Sequence, residues 1–135
     1  MAESKTQGRL LRGLAEAFDL SNPPKRIEVY DNSHIQGKHA VGGMVVAGPE
    51  GFQKAAYRRF NIKGEGKFAT QTGDDFAMMR QVMHRRFSRA LKEDPDRLSD
   101  SWPDLLLIDG GLGQLSSVHE VLDALAINDM QVIAI

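Results

Sequence analysis

The sequence predicts an α/β chain: three antiparallel strands followed by parallel β-α-β units, a mixed sheet of order β-β-β-α-β-α-β behind a leading helix. Three observations point there. Alternating or β-branched runs, punctuated by Gly and Pro, fill residues 27–62. Two stretches, 75–92 and 113–125, repeat apolar residues at helical spacing. The runs 105–108 and 132–135 are short and continuously apolar, the pattern of a strand buried on both faces.

Each element follows in order. Leu10, Leu11, Leu14 and Phe18 recur at helical spacing and predict a short helix over 8–19. Ser21-Asn22-Pro23-Pro24 ends it as a stiff linker. Ile27-Glu28-Val29-Tyr30 reads as the first strand, closed by the turn-forming Asp31-Asn32-Ser33. Ala40 to Ala47 is β-branched and predicts the second strand, with Gly48-Pro49-Glu50-Gly51 as a hairpin turn. Phe52 to Ile62 alternates and predicts a third strand, and the glycine-rich stretch 64–73 a mobile loop. Asp75 to Lys92 is a long amphipathic helix whose Met78, Met79 and Met83 stripe is expected in the core. Leu105–Ile108 is the fourth strand, 113–125 the second long helix, and Val132–Ile135 the fifth strand. This order is similar to that of the ribonuclease H-like fold without its closing C-terminal helices.

Composition narrows the class. The 135 residues suit one domain, and 41% apolar with 26% charged residues is ample for a packed core. Absence of cysteine excludes a disulfide scaffold and a thiolate zinc site, and fits the reducing cytoplasm. No apolar run approaches the roughly 20 residues that span a bilayer, so no membrane association is expected. A net charge of −1 leaves any nucleic-acid binding to local basic patches, Arg58–Arg59 and the group Arg80, Arg85, Arg86 and Arg89.

Three carboxylates stand out. Asp31 and Asp109 both follow predicted strands, and Asp75 opens the helix between them. Singly, each has an ordinary reading: Asp31 and Asp109 as turn residues, Asp75 or Asp74 as a helix cap. Together they would converge if the first and fourth strands are neighbours, because ligands in such sheets sit beyond the carboxyl ends of parallel strands. Three carboxylates in one cleft repel unless a cation neutralises them. Oxygen-only donors favour Mg²⁺ or Mn²⁺, which can activate water for attack on a phosphodiester.

Four motifs carry a family resemblance. Arg26-Ile27-Glu28-Val29-Tyr30-Asp31-Asn32-Ser33-His34-Ile35-Gln36-Gly37 is similar to the opening of the C-terminal nuclease domain of UvrC, the incision subunit of bacterial nucleotide excision repair. Tyr57-Arg58-Arg59-Phe60-Asn61-Ile62 resembles its third strand, and Gly73-Asp74-Asp75-Phe76-Ala77-Met78-Met79 its Gly-Asp-Asp segment. Leu107-Ile108-Asp109-Gly110-Gly111, followed by Gly113-Gln114-Leu115, resembles its fourth-strand motif. The resemblance implies a ribonuclease H-like, metal-dependent endonuclease that makes the 5′ incision beside a lesion. It places the metal-binding carboxylates on Asp31, Asp75 and Asp109, with Asp74 in the same motif as a helix cap or a support behind the ligands. Its expected partners are damaged double-stranded DNA and the UvrB–DNA pre-incision complex.

The same resemblance divides the chain into residues 1–24, a helix and proline linker, and 25–135, an incomplete nuclease domain. A family histidine expected beyond the fifth strand matches none of His34, His39, His84 or His119, so weak activity is expected. Thr72 stands where the family has proline, and Leu112 where lysine is common, removing a possible phosphate contact.

The remaining polar residues keep two readings. His34 could bond a ligand carboxylate or a phosphate, or simply be solvated, and Gln36 could reach DNA. Arg58 and Arg59 adjoin on a strand and must point to opposite faces. Arg85 and Arg86 could track a phosphate backbone, or belong to a solvated, ion-paired helix face. Two other functions compete. A non-catalytic module could bind DNA or a repair partner. A nucleotide-binding α/β module is suggested by the strand–glycine turn–helix at 105–115, but Asp109 would face the pyrophosphate, and the glycine spacing is incomplete.

Overall fold

The computed structural model describes Glu16 and residues 23–35, 39–62 and 75–135. The helix expected over 8–19 (Glu16 apart) and the loop 64–73 lie outside them. Strands β1 (Ile27–Ile35), β2 (His39–Gly48), β3 (Gly51–Phe52) and β4 (Arg58–Asn61) come first. Helix α1 (Asp75–Glu93), β5 (Leu105–Ile108), α2 (Leu112–Ala124) and β6 (Gln131–Ala134) follow. The sheet order is β3-β2-β1-β5-β6, with β4 also on β2. β1 and β2 are antiparallel, while β1–β5 and β5–β6 are parallel. The mixed sheet expected from the sequence is therefore present, and the first and fourth predicted strands are hydrogen-bonded neighbours.

Two elements depart from expectation. Asp31 does not close β1: the strand runs on to Ile35 because β2 pairs with it along its whole length, from Ile27↔Ala47 to Ile35↔His39. The third strand is split. β3 pairs with the end of β2, a 3₁₀ turn over Lys54–Ala56 breaks the run, and β4 resumes pairing at Met44↔Arg58. Lys and Ala are poor strand formers, and the Ala56 N–H bonds back to the Gln53 carbonyl at 3.0 Å instead of joining the ladder. Gly51, at φ 105°, supplies the left-handed turn that starts β3.

Both helices pack on one face of the sheet. Tyr30, Met44, Val46, Phe60, Leu106 and Ile108 from the strands meet Met79, Val82, Met83 and Phe87 of α1, with Val118, Val121 and Leu122 of α2. The methionine stripe is thus core, each such buried side chain contributing about 1.5–3 kcal/mol. The opposite face carries a smaller cluster, Ile27 and Leu105 with Val29, Leu107 and Ile133 against them. No helix among the described residues is long and apolar enough to cross a membrane.

Candidate active site

The β1–β5 ladder ends at Tyr30↔Ile108. Asp31 and Asp109 are the next residues on the two strands, and the Asp109 N–H still donates to the Tyr30 carbonyl at 3.0 Å. Adjacent strands lie about 4.8 Å apart, so the two aspartates leave the sheet side by side at the carboxyl end of β5. Both are exposed. β1 runs past this point bonded to β2, which leaves Asp31 flanking the space beyond the end of β5.

Asp75, also exposed, opens α1. Its neighbour Phe76 seats its ring on Gly113, where an added Cβ would stand only 2.4 Å from the ring. The start of α1 is therefore held against the start of α2, at the edge where Asp109 emerges. Strand alternation sends Asp31 to the face of Val29, whereas α1 lies on the face of Tyr30. Asp75 thus approaches from the other side of the sheet. Among the described residues, no three carboxylates or imidazoles are grouped closely enough to hold a metal ion. Asp74, Gln36 and the His34 side chain lie outside the described residues. What the structure joins is the Asp31–Asp109 pair, a set of oxygen donors of the kind that suits a hard divalent cation.

The arginines separate sharply. Arg86 is only 6% exposed and belongs to the interior. Its Nε donates to Glu28 Oε1 at 3.2 Å, and its Nη2 to Glu28 Oε2 at 2.8 Å and to the Ser101 carbonyl at 2.6 Å. That corrects its reading as a DNA contact, since its donors are committed inside the protein. Glu28, fully buried, also accepts from the Tyr30 hydroxyl and from Arg26 Nε at 3.0 Å. Burial, then the Glu28 charge, holds the Tyr30 hydroxyl well above its ordinary pKa. Burial disfavours the Arg86 charge, but the Glu28 hydrogen bonds outweigh it and raise its pKa. Nothing in the local sequence marks Glu28, because its main partner lies 58 residues away.

Arg58 and Arg59 point to opposite faces, as their adjacency requires. Arg58 is half-buried, its guanidinium 4.7 Å from the centre of the Phe60 ring. Burial, and then the charges of Arg89, Arg86 and Arg85, lower its pKa. Arg85 lies 5.4 Å from the same ring and donates to the Asn61 carbonyl at 2.7 Å. Arg59 is exposed and pairs with Gly43, which pairs with Asp31. Arg59 therefore shares a rung and a face with Asp31, two strands and about 10 Å away. Arg80 bonds Ser117 and Arg89 bonds Glu93, the ion-paired surface expected of a solvated helix.

The sequence profile of the UvrC RNAse H endonuclease domain matches residues 15–135. The chain belongs to that family. Over all 135 residues it is 64% identical to UvrABC system protein C of Cereibacter sphaeroides and 62% identical to that of Jannaschia sp.. It spans about a fifth of these relatives, 21% of each. Its fold is similar to that of Ciona intestinalis endonuclease V, solved with a 24mer DNA containing an inosine followed by a ribo-adenosine. That match has a TM-score of 0.53 at 15% identity and covers 98% of this chain and 56% of the other, a likeness of fold alone, while the ribonuclease H-like class follows from the family profile. In this UvrC-family domain, two of the four motifs meet where the β1–β5 ladder ends, and the Asp75 segment abuts them through Phe76 and Gly113. The Arg59 segment joins the same rung across β2.

Proposed function

We propose that the chain is a divalent-metal-dependent DNA endonuclease domain making the 5′ incision beside a lesion in nucleotide excision repair. Damaged double-stranded DNA in a UvrB–DNA complex is its substrate, and the cytoplasm its location. One observation carries this reading: the parallel β1–β5 register sets Asp31 and Asp109 on adjacent strands at the same level. Mg²⁺ or Mn²⁺ bound there would polarise a phosphodiester oxygen and lower the pKa of a water. Asp31 and Asp109 supply its anchoring oxygens, and Asp75, at the start of α1 beside the start of α2, completes the set. Arg59, on the rung of Asp31, and Arg85 receive flanking phosphates without sequence preference. Asp74, His34 and Gln36 support the ligands or the DNA from the neighbouring segments. Damage repair must cut in any sequence, and contacts to the backbone suit that need.

A second reading, DNA or partner binding without cutting, is favoured by the absence of a three-group metal cluster among the described residues. Incubation of bubble DNA with the chain and Mn²⁺ separates the two. Cutting that Asp109→Ala reduces by about 10²–10⁴-fold is the expected result, the scale on which loss of an essential catalytic group acts. Binding without cutting would leave the second reading in place, and cutting unaffected by Asp109→Ala would overturn the site assigned here.

A further inference from the structure

We infer that Arg86 is a positioning residue for the carboxylate site: its guanidinium, clamped to Glu28 and Ser101, holds the three segments that carry Asp31, Asp75 and Asp109 in register. The inference rests on the metal-site reading and names what sets the geometry of that site.

Each of those segments reaches the same buried side chain. Arg86 itself stands on α1, the helix that Asp75 opens. Its Nε and Nη2 grip the two oxygens of Glu28 on β1, three residues before Asp31, at 3.2 and 2.8 Å. Nη2 also donates to the carbonyl of Ser101, in the connector that enters β5, at 2.6 Å. A short relay then leads from Glu28 to the aspartates. The Tyr30 hydroxyl donates to Glu28 Oε1, and the Tyr30 carbonyl accepts the Asp109 N–H at 3.0 Å. Tyr30 also precedes Asp31 directly, so one residue joins the buried charge pair to both strand-borne aspartates.

A packed apolar cluster would hold these elements together as firmly. Desolvating two charges offsets much of their attraction, so replacing a buried ion pair by apolar residues of similar volume is often neutral or stabilising. What the pair adds is direction. Apolar contacts tolerate sliding, whereas a guanidinium fork bonds a carboxylate along fixed lines. Direction matters here because Asp31 and Asp109 stand level only in the Ile27↔Leu105 register. A slip of one residue would turn Asp109 to the other face of the sheet. Asp104 Oδ2 locks the same end, accepting the N–H groups of Lys25 and Arg26 at 2.7 and 2.9 Å. Those bonds tie β1 to β5, and the Arg86 fork adds α1. Asp75 lies eleven residues before Arg86 on that helix, about 16 Å along its axis. Fixing α1 at Arg86 and at Phe76 on Gly113 therefore fixes where Asp75 stands. All three aspartates are exposed, so their positions follow from the elements that carry them.

The test keeps the core filled and removes the direction. The triple variant Glu28→Met, Tyr30→Phe, Arg86→Met replaces the buried network by apolar groups of similar size. Arg86→Lys keeps the charge and loses the fork. Val121→Ala loosens the same core without touching the network and serves as control. Calorimetry reads Mn²⁺ affinity, and the amide resonances of Asp75 and Asp109 in metal-free Arg86→Lys read the geometry without any metal. The triple variant and Arg86→Lys are expected to bind Mn²⁺ about tenfold more weakly, the lower end of what groups that orient metal ligands contribute. The triple variant should melt near the wild-type temperature, and both amides should shift in Arg86→Lys. Val121→Ala should melt lower and keep its Mn²⁺ affinity within about twofold. Wild-type affinity in either folded variant overturns the inference, as does an equal loss in Val121→Ala. If the triple variant does not fold, Arg86→Lys decides alone. If the wild-type chain binds no Mn²⁺, the metal reading fails, and the metal-free amides still decide: shifted resonances support the positioning role, unmoved ones overturn it.

Discussion

Arg85 and Arg86 are neighbours in sequence with opposite fates. Residue type made both candidates for phosphate contact. Helical geometry turns one toward the Asn61 carbonyl and the Phe60 ring and the other into the core, where Glu28 waits on β1. The pairing was illegible because a glutamate in a strand and an arginine in a helix declare nothing about each other 58 residues apart. Removing one partner of a buried pair leaves an uncompensated charge, which typically costs about 3–5 kcal/mol. Arg86→Ala should therefore lower the unfolding free energy by that order in urea denaturation, while Arg85→Ala should change it little. Equal effects of the two substitutions would remove Arg86 from the interior. Asp31 and Asp109, the aspartates proposed to bind metal, are the opposite case: exposed, and placed by the strands that lead to them.

Element boundaries were legible where the signal is local. α1 was expected over 75–92 and spans Asp75–Glu93; β5 matches at both ends. β1 was cut short at Tyr30 because its last five residues are held by β2, a long-range pairing no local pattern announces. The connector after α1 is likewise organised by partners elsewhere. Arg97, at φ 56°, gives two hydrogen bonds of 2.6 and 2.7 Å to Asp129, ahead of β6, and stacks 4.4 Å over Trp102. The Arg97 bonds hold the Asp129 carboxyl below its ordinary pKa. A folded pKa below the unfolded one means that this clamp stabilises the fold above the unfolded value, about 3.9, and is lost as pH falls through the folded value. Asp129→Asn should therefore remove part of the acid-induced drop in melting temperature below about pH 4 and leave its slope near neutrality unchanged. A melting curve against pH identical in both proteins would show that the clamp contributes nothing.

For the whole molecule, the order of strands and helices was enough to foresee a mixed sheet, because hydrophobic period and length separate its helices from its buried strands. The site was foreseen only as far as that topology reaches. Placing Asp31 beside Asp109 required β1 and β5 to be neighbours, which the parallel crossover delivers. Bringing Asp75 in depends on which face α1 covers, and neither spacing nor composition encodes that. The central claim is that the end of the β1–β5 ladder holds a cation between Asp31 and Asp109. Calorimetric titration with Mn²⁺ of the wild type, Asp31→Asn, Asp109→Asn and the double variant tests it most directly. Shared ligands predict that each single change weakens binding at least tenfold and that the double variant loses no more than a single one. Wild-type affinity in either single variant, or independent losses that multiply in the double, would contradict it.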